Sequence, residues 1–137
     1  QIGEIARIVL AHGIEAVIAT NTTISRTGLE QEPLANEPGG LSGRPLKAKS
    51  TEVIRELYRH LQGRVAIIGV GGIENSDDAW EKLVAGADAV QVYTAFIYQG
   101  PALVRRISRG LEQKVRAAGV ATLAEAVVAA RAGQRNA

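Results

Sequence analysis

Three short runs of consecutive apolar residues constrain this chain more than any other feature. They are residues 16–19 (Ala16-Val17-Ile18-Ala19), 65–70 (Val65-Ala66-Ile67-Ile68-Gly69-Val70) and 89–93 (Ala89-Val90-Gln91-Val92-Tyr93). Continuous rather than alternating apolarity predicts strands buried on both faces, as in parallel sheets. Parallel strands need crossover connections, which helices usually supply. Helical spacing does fill the intervals. Ile2, Ile5, Ala6, Ile8 and Val9 recur at that spacing before His12-Gly13. Val53, Ile54, Leu57, Tyr58 and Leu61 form a second stripe, which Ser50 or Thr51 would cap and Gly63 would end. Ser76 would cap a third helix that carries Asp77 and Asp78 in its first turn and stops at Gly86. After a short turn at 94–98, Pro101 opens a long helix with Leu103, Val104, Ile107, Leu111 and Val115 on one face. Thr122 caps the last, from Leu123 to about Ala132.

The order α-β-α-β-α-β-α-α reads as an α/β fold with parallel strands. Three strands are fewer than a doubly wound sheet usually has, and a (β/α)8 TIM barrel takes about 250 residues. The 137 residues and a first helix without a preceding cap predict one partial domain, residues 1–137: the C-terminal part of a TIM barrel, its last three strands with their helices. With aromatics at 4%, the core must be aliphatic.

Composition excludes several functions. No cysteine is present, which removes disulfides, thiolate nucleophiles and Cys-ligated zinc. His12 and His60 have no ligand spacing, so no metal site is expected. A net charge of +2 is no nucleic-acid footprint. No apolar run approaches the roughly 20 residues of a membrane span, and residues 1–7 lack the pattern of a signal peptide.

Ligands of parallel α/β folds meet the C-terminal ends of the strands. The first end is polar, Thr20-Asn21-Thr22-Thr23, and Asn21 offers two donors and an acceptor. The second, Gly71-Gly72, lets backbone N–H groups approach a ligand, and the third is Tyr93-Thr94. The last two strand ends of a barrel often cradle phosphate. Residues 22–47 form a long loop rich in glycine and proline. Its segment Gly39-Gly40-Leu41-Ser42-Gly43-Arg44-Pro45-Leu46 fits either a structural rim or a backbone laid against a flat ring. Arg44 has a loop position suited to an anion but reads as solvated or salt-bridged, His12 and His60 read as structural, and Trp80 as helix packing. Glu74, Asp77, Asp78 and Glu81 read as helix-capping or solvated charge.

Taken together, residues 18–23, 39–46, 67–73 and 91–94 closely resemble the C-terminal half of dihydroorotate dehydrogenases. The resemblance runs from about Gly13 to Leu111, in order and spacing. Ser42-Gly43-Arg44-Pro45-Leu46, followed by Lys49-Ser50-Thr51, looks like the class 2, quinone-dependent branch. The resemblance implies an FMN-containing barrel that oxidises dihydroorotate to orotate in pyrimidine synthesis, with a quinone as acceptor. By the same resemblance Thr20 and Gly43 contact the flavin, Asn21 and Thr22 bind orotate, and Gly72, Tyr93 and Thr94 hold the phosphate and ribityl chain. The family's serine base, its flavin-side lysine and the helices that meet the inner membrane and the quinone belong to its N-terminal half. None of Ser25, Ser42, Ser50 or Ser76 matches that base, so no catalytic residue is assigned and these residues alone are expected to be inactive. Two alternatives are another FMN or phosphate-binding barrel enzyme and a non-catalytic half-barrel binding module. Three strands cut from a barrel would also have open edges, which predicts self-association.

Overall fold

The computed structural model describes residues 1–135. Its elements run α1 (Ile2–Ala11), β1 (Ala16–Ala19), a 3-10 turn (Arg44–Leu46), α2 (Lys47–Leu61), β2 (Ala66–Val70), α3 (Ser76–Ala85), β3 (Ala89–Gln91), α4 (Thr94–Gln99), α5 (Ala102–Ala117) and α6 (Leu123–Arg135). The three strands are parallel in the order β1-β2-β3, with Val17 opposite Ile67 and Gly69 opposite Val90. Each strand thus follows its neighbour in sequence through a helical crossover, as consecutive barrel strands do.

The helices cover one face of this sheet. Val17, Ala19 and Ile67 pack there with Ala6, Val9, Ile54, Leu57 and Leu61 of α1 and α2. A second cluster joins Ile73 and Ala79 to Ala95, Leu103 and Ile107. The expectation of strands buried on both faces is corrected here. Residues of the opposite face stay open: Ile18 is 63% exposed, and Ile68 and Val70 are only half-buried. Among the described residues no layer packs against that face. It therefore forms the wall of a cleft.

Several local expectations shift for physical reasons. Ser50 and Thr51 do not cap α2, which starts earlier, from the 3-10 turn at Pro45. Both are buried inside it, and Ser50 Oγ donates instead to Val70 O at 2.8 Å, pinning the helix to the end of β2. Asn75 rather than Ser76 caps α3, its Oδ1 accepting from the N–H groups of Asp77 and Asp78. Residues 94–99 form a helix instead of a turn, and β3 ends at Gln91. Thr122 caps α6 as expected. Its Oγ1 accepts from Glu125 N while Glu125 Oε2 accepts from Ala121 N and Thr122 N, a reciprocal capping box.

Candidate functional site

The cleft of about 420 Å³ opens at the C-terminal ends of all three strands. Thr20, Asn21, Thr22, Gly43, Gly72, Tyr93 and Thr94, which the sequence singles out, all line it. The apolar wall is Ile18, Leu46 and Val70 from the open sheet face and the loop that follows it. A concave site with an apolar wall and a few converging polar groups is the usual form of a small-molecule site.

At the end of β1, Thr20 N–H donates to Val70 O at 3.0 Å, which holds the turn against β2. The peptide between Ala19 and Thr20 is cis. Thr20 Oγ1 is buried and has no hydrogen-bond partner. A buried hydroxyl without a partner costs about 1–3 kcal/mol, so it calls for a ligand group to satisfy it. Asn21 Oδ1 accepts from Thr22 N at 2.7 Å and lies 3.4 Å from Thr22 Oγ1. Its acceptor is therefore engaged locally, which leaves the amide N–H pair to donate into the cleft.

The glycine loop reaches the same cleft from the other side. Gly43 has φ +78°, and a Cβ there would lie 3.2 Å from the Thr94 methyl. Thr94 Oγ1 sits 2.9 Å from Ser42 Oγ, so a hydroxyl pair ties the loop to the start of α4. Tyr93 lines the cleft and is 68% exposed. Arg44 is salt-bridged as expected, to Glu74 at 2.8 Å.

At Gly72 the reason for glycine differs from the sequence reading. Its φ is +68°, and a Cβ would lie 2.5–2.8 Å from the Cβ, Cα and N of Lys47. The start of α2, rather than empty space for a ligand, excludes a side chain there. Asp78 likewise is not solvated. It is buried, accepts from Glu74 N at 2.9 Å and meets Lys47 Nζ at 2.5 Å. The hydrogen bond to Asp78 raises the Lys47 pKa above the ordinary lysine value. This pair braces the loop that carries Gly71 and Gly72.

Sequence reasoning missed Ser42 and Gln91 as cleft residues. Gln91 carried a usable signal, a lone polar residue inside an apolar strand. The pairing of half-exposed Lys47 with buried Asp78 had none, because the two lie far apart in sequence. Among the described residues no three His, Asp or Glu side chains group as a metal site, and no helix is long and apolar enough to cross a membrane.

A family model described as dihydroorotate dehydrogenase matches residues 1–115. The chain belongs to the dihydroorotate dehydrogenase family. Among curated members, the dihydroorotate dehydrogenase (quinone) of Synechococcus elongatus is 48% identical over 134 residues, covering 93% of this chain and 35% of that protein. The one from Chromobacterium violaceum is 54% identical over 117 residues, covering 85% of this chain and 34% of its own length. The solved structure of DHODH from Eimeria tenella in complex with ferulenol superimposes with a TM-score of 0.85 at 43% identity, over 91% of this chain and 33% of that one. This chain thus spans about a third of the length of the dihydroorotate dehydrogenases it matches, and its open α/β sheet corresponds to part of their barrel.

Proposed function

We propose that these residues supply the flavin-holding wall and part of the substrate site of a quinone-dependent dihydroorotate dehydrogenase acting in pyrimidine synthesis. The carrying observation is a cleft lined by Thr20, Asn21, Thr22, Gly43 and Gly72, with the buried, unpartnered Thr20 hydroxyl in its wall. An FMN fits this donor set. Thr20 Oγ1 has a bond to give, Gly43 brings backbone close without a side chain, and Thr94 and Tyr93 stand at the rim. At Gly72 a phosphate contact would come from the backbone N–H, held in place by Lys47. When bound, the flavin supplies the two-electron acceptor for oxidation of dihydroorotate.

This chain's own part is to bind and orient. Asn21 N–H groups donate to an anionic or carbonyl oxygen of the pyrimidine, and Thr22 beside it fixes the amide's rotamer. The apolar wall of Ile18, Leu46 and Val70 excludes water from the ring. We assign no proton acceptor to these residues, since Ser42 is engaged by Thr94 and Glu74 is paired with Arg44. The base, the quinone contact and peripheral attachment to the inner membrane are assigned to segments outside this span.

Thr20→Val tests the reading. It keeps the shape and removes the hydroxyl. Flavin-free protein should be as stable as before or more so, because an unpartnered polar atom is gone. Flavin retained per protein after gel filtration should fall. Unchanged flavin retention, or an intact protein that takes up no flavin at all, overturns the proposal.

A further inference from the structure

Within the long loop between β1 and the 3-10 turn, one side chain makes four bonds to the backbone. Arg26 donates from Nε to Ala35 O at 3.1 Å, from Nη1 to Thr23 O at 3.2 Å, and from Nη2 to Glu37 O at 3.3 Å and Gly39 O at 2.8 Å. Among the described residues its guanidinium forms no ion pair and no bond to another side chain. Its donors all go to backbone carbonyls, spread over a stretch that ordinary β pairing leaves almost empty. The one bridge across the loop is Thr23 with Leu41, joined by N–H to O bonds of 3.0 and 2.7 Å. The other backbone-to-backbone bonds of residues 24–39 close local turns between residues three apart, at Leu29, Glu32, Ala35 and Glu37.

The placement of these bonds connects the loop to the substrate pair. Thr23 lies one residue after Thr22, and Gly39 one residue before Gly40. Arg26 grips both flanking carbonyls. Between them, Gly40 packs so closely on Thr22 that any Cβ would overlap the Thr22 hydroxyl and its Cβ. Thr22 in turn holds the Asn21 amide through its N–H. We infer that Arg26 is a positioning residue: by bridging Thr23 and Gly39 its guanidinium presses Gly40 onto Thr22 and so fixes the Asn21–Thr22 pair in its substrate-binding geometry. The inference rests on the reading of that pair as the orotate-binding one. A lysine cannot replace Arg26, because three N–H groups on one atom cannot span carbonyls that a planar five-donor fork reaches.

Coupling of this kind is reciprocal. If the closed loop favours substrate binding, bound substrate must favour the closed loop by the same factor. The loop carries exposed Glu30 before Gln31, so a glutamate-specific protease reports its opening there, whereas Glu32 and Glu37 precede Pro33 and Pro38 and resist cleavage. The intact protein is used, with orotate as ligand. Orotate affinity is read from the perturbation of flavin absorbance, and loop cleavage from fragment masses. In the unsubstituted protein, saturating orotate should slow cleavage after Glu30. Arg26→Gln and Arg26→Lys should both keep the flavin, lose roughly tenfold in orotate affinity, and be cut faster. A loop with a merely structural role would be cut faster with no change in orotate affinity, and that result overturns the inference. Full affinity in Arg26→Lys would also overturn it, since charge alone would then suffice. If Arg26→Gln fails to fold, absence of orotate protection in the unsubstituted protein still overturns it. Asn21→Ala separates the two levels of the argument. Its loss of orotate affinity with Arg26→Gln unaffected sinks the clamp alone, whereas unchanged affinity in Asn21→Ala sinks the substrate-site reading beneath it.

Discussion

Glycine 72 illustrates how a single residue can carry a constraint from packing rather than from chemistry. Its positive φ is strained for any side chain, and the space a Cβ would need is filled by the backbone of Lys47. Gly72→Val should therefore destabilise the protein by at least about 1–3 kcal/mol, from backbone strain and overpacking together. The loss should appear in flavin-free protein, as a lower unfolding midpoint. If the flavin-free variant is as stable as its parent and only flavin retention drops, the space beside Gly72 belongs to the ligand after all. That a glycine follows strand β2 was plain from the run Gly69-Val70-Gly71-Gly72. Which atoms exclude a side chain was not, because Lys47 lies in the preceding helix.

The α2–α3 pair shows the same division at the scale of elements. The sequence has α3 as a short amphipathic helix with Lys82 in it, and a lysine near a helix C-terminus normally reads as solvated. In the fold Lys82 is fully buried, with Nζ donating to Lys47 O at 2.7 Å and Thr51 Oγ1 at 2.5 Å. A neutral amine has two N–H groups, and these two acceptors match them. Burial lowers its pKa from the usual 10.5 to about 8, against the raising influence of Glu81 and Asp78. Between about pH 8 and 10.5 the unfolded chain keeps a proton on Lys82 that the folded chain has released. The unfolded state then binds more protons, so stability rises with pH across this window and is lost as pH falls toward 8. Lys82→Met should abolish this rise. The check is chemical unfolding of both proteins across the window. Parallel stability curves for the two would mean that Lys82 titrates normally.

At the scale of the whole molecule the decisive feature is a sheet with one covered face and two edges. Among the described residues strands β1 and β3 have no outer neighbour, and Ile18 and Tyr93 are largely exposed beside them. Phe96, Ile97 and Tyr98 of α4 add 41–84% exposed apolar side chains. Open edges with apolar faces recruit further chains. Residues 1–137 produced on their own should therefore self-associate, bind flavin poorly and fail to oxidise dihydroorotate. Light scattering and a dye-reduction assay decide this, and a monodisperse, flavin-bound monomer with turnover would refute it.

The sequence by itself determined the parallel α/β order and the polar strand ends at Thr20–Thr22, Gly71–Gly72 and Tyr93–Thr94, because apolar period and glycine placement are local properties of the chain. It also carried the capping box at Thr122, whose partners lie three residues apart. Only the tertiary structure decided that Ser50, Asp78 and Lys82 lie buried, that the inner face of the sheet is open, and that Arg26 bridges the loop. Each of these depends on which groups meet across long stretches of chain. A polar side chain's surroundings are set by the elements packed against it, and those partners leave no trace in the residues next to it in sequence.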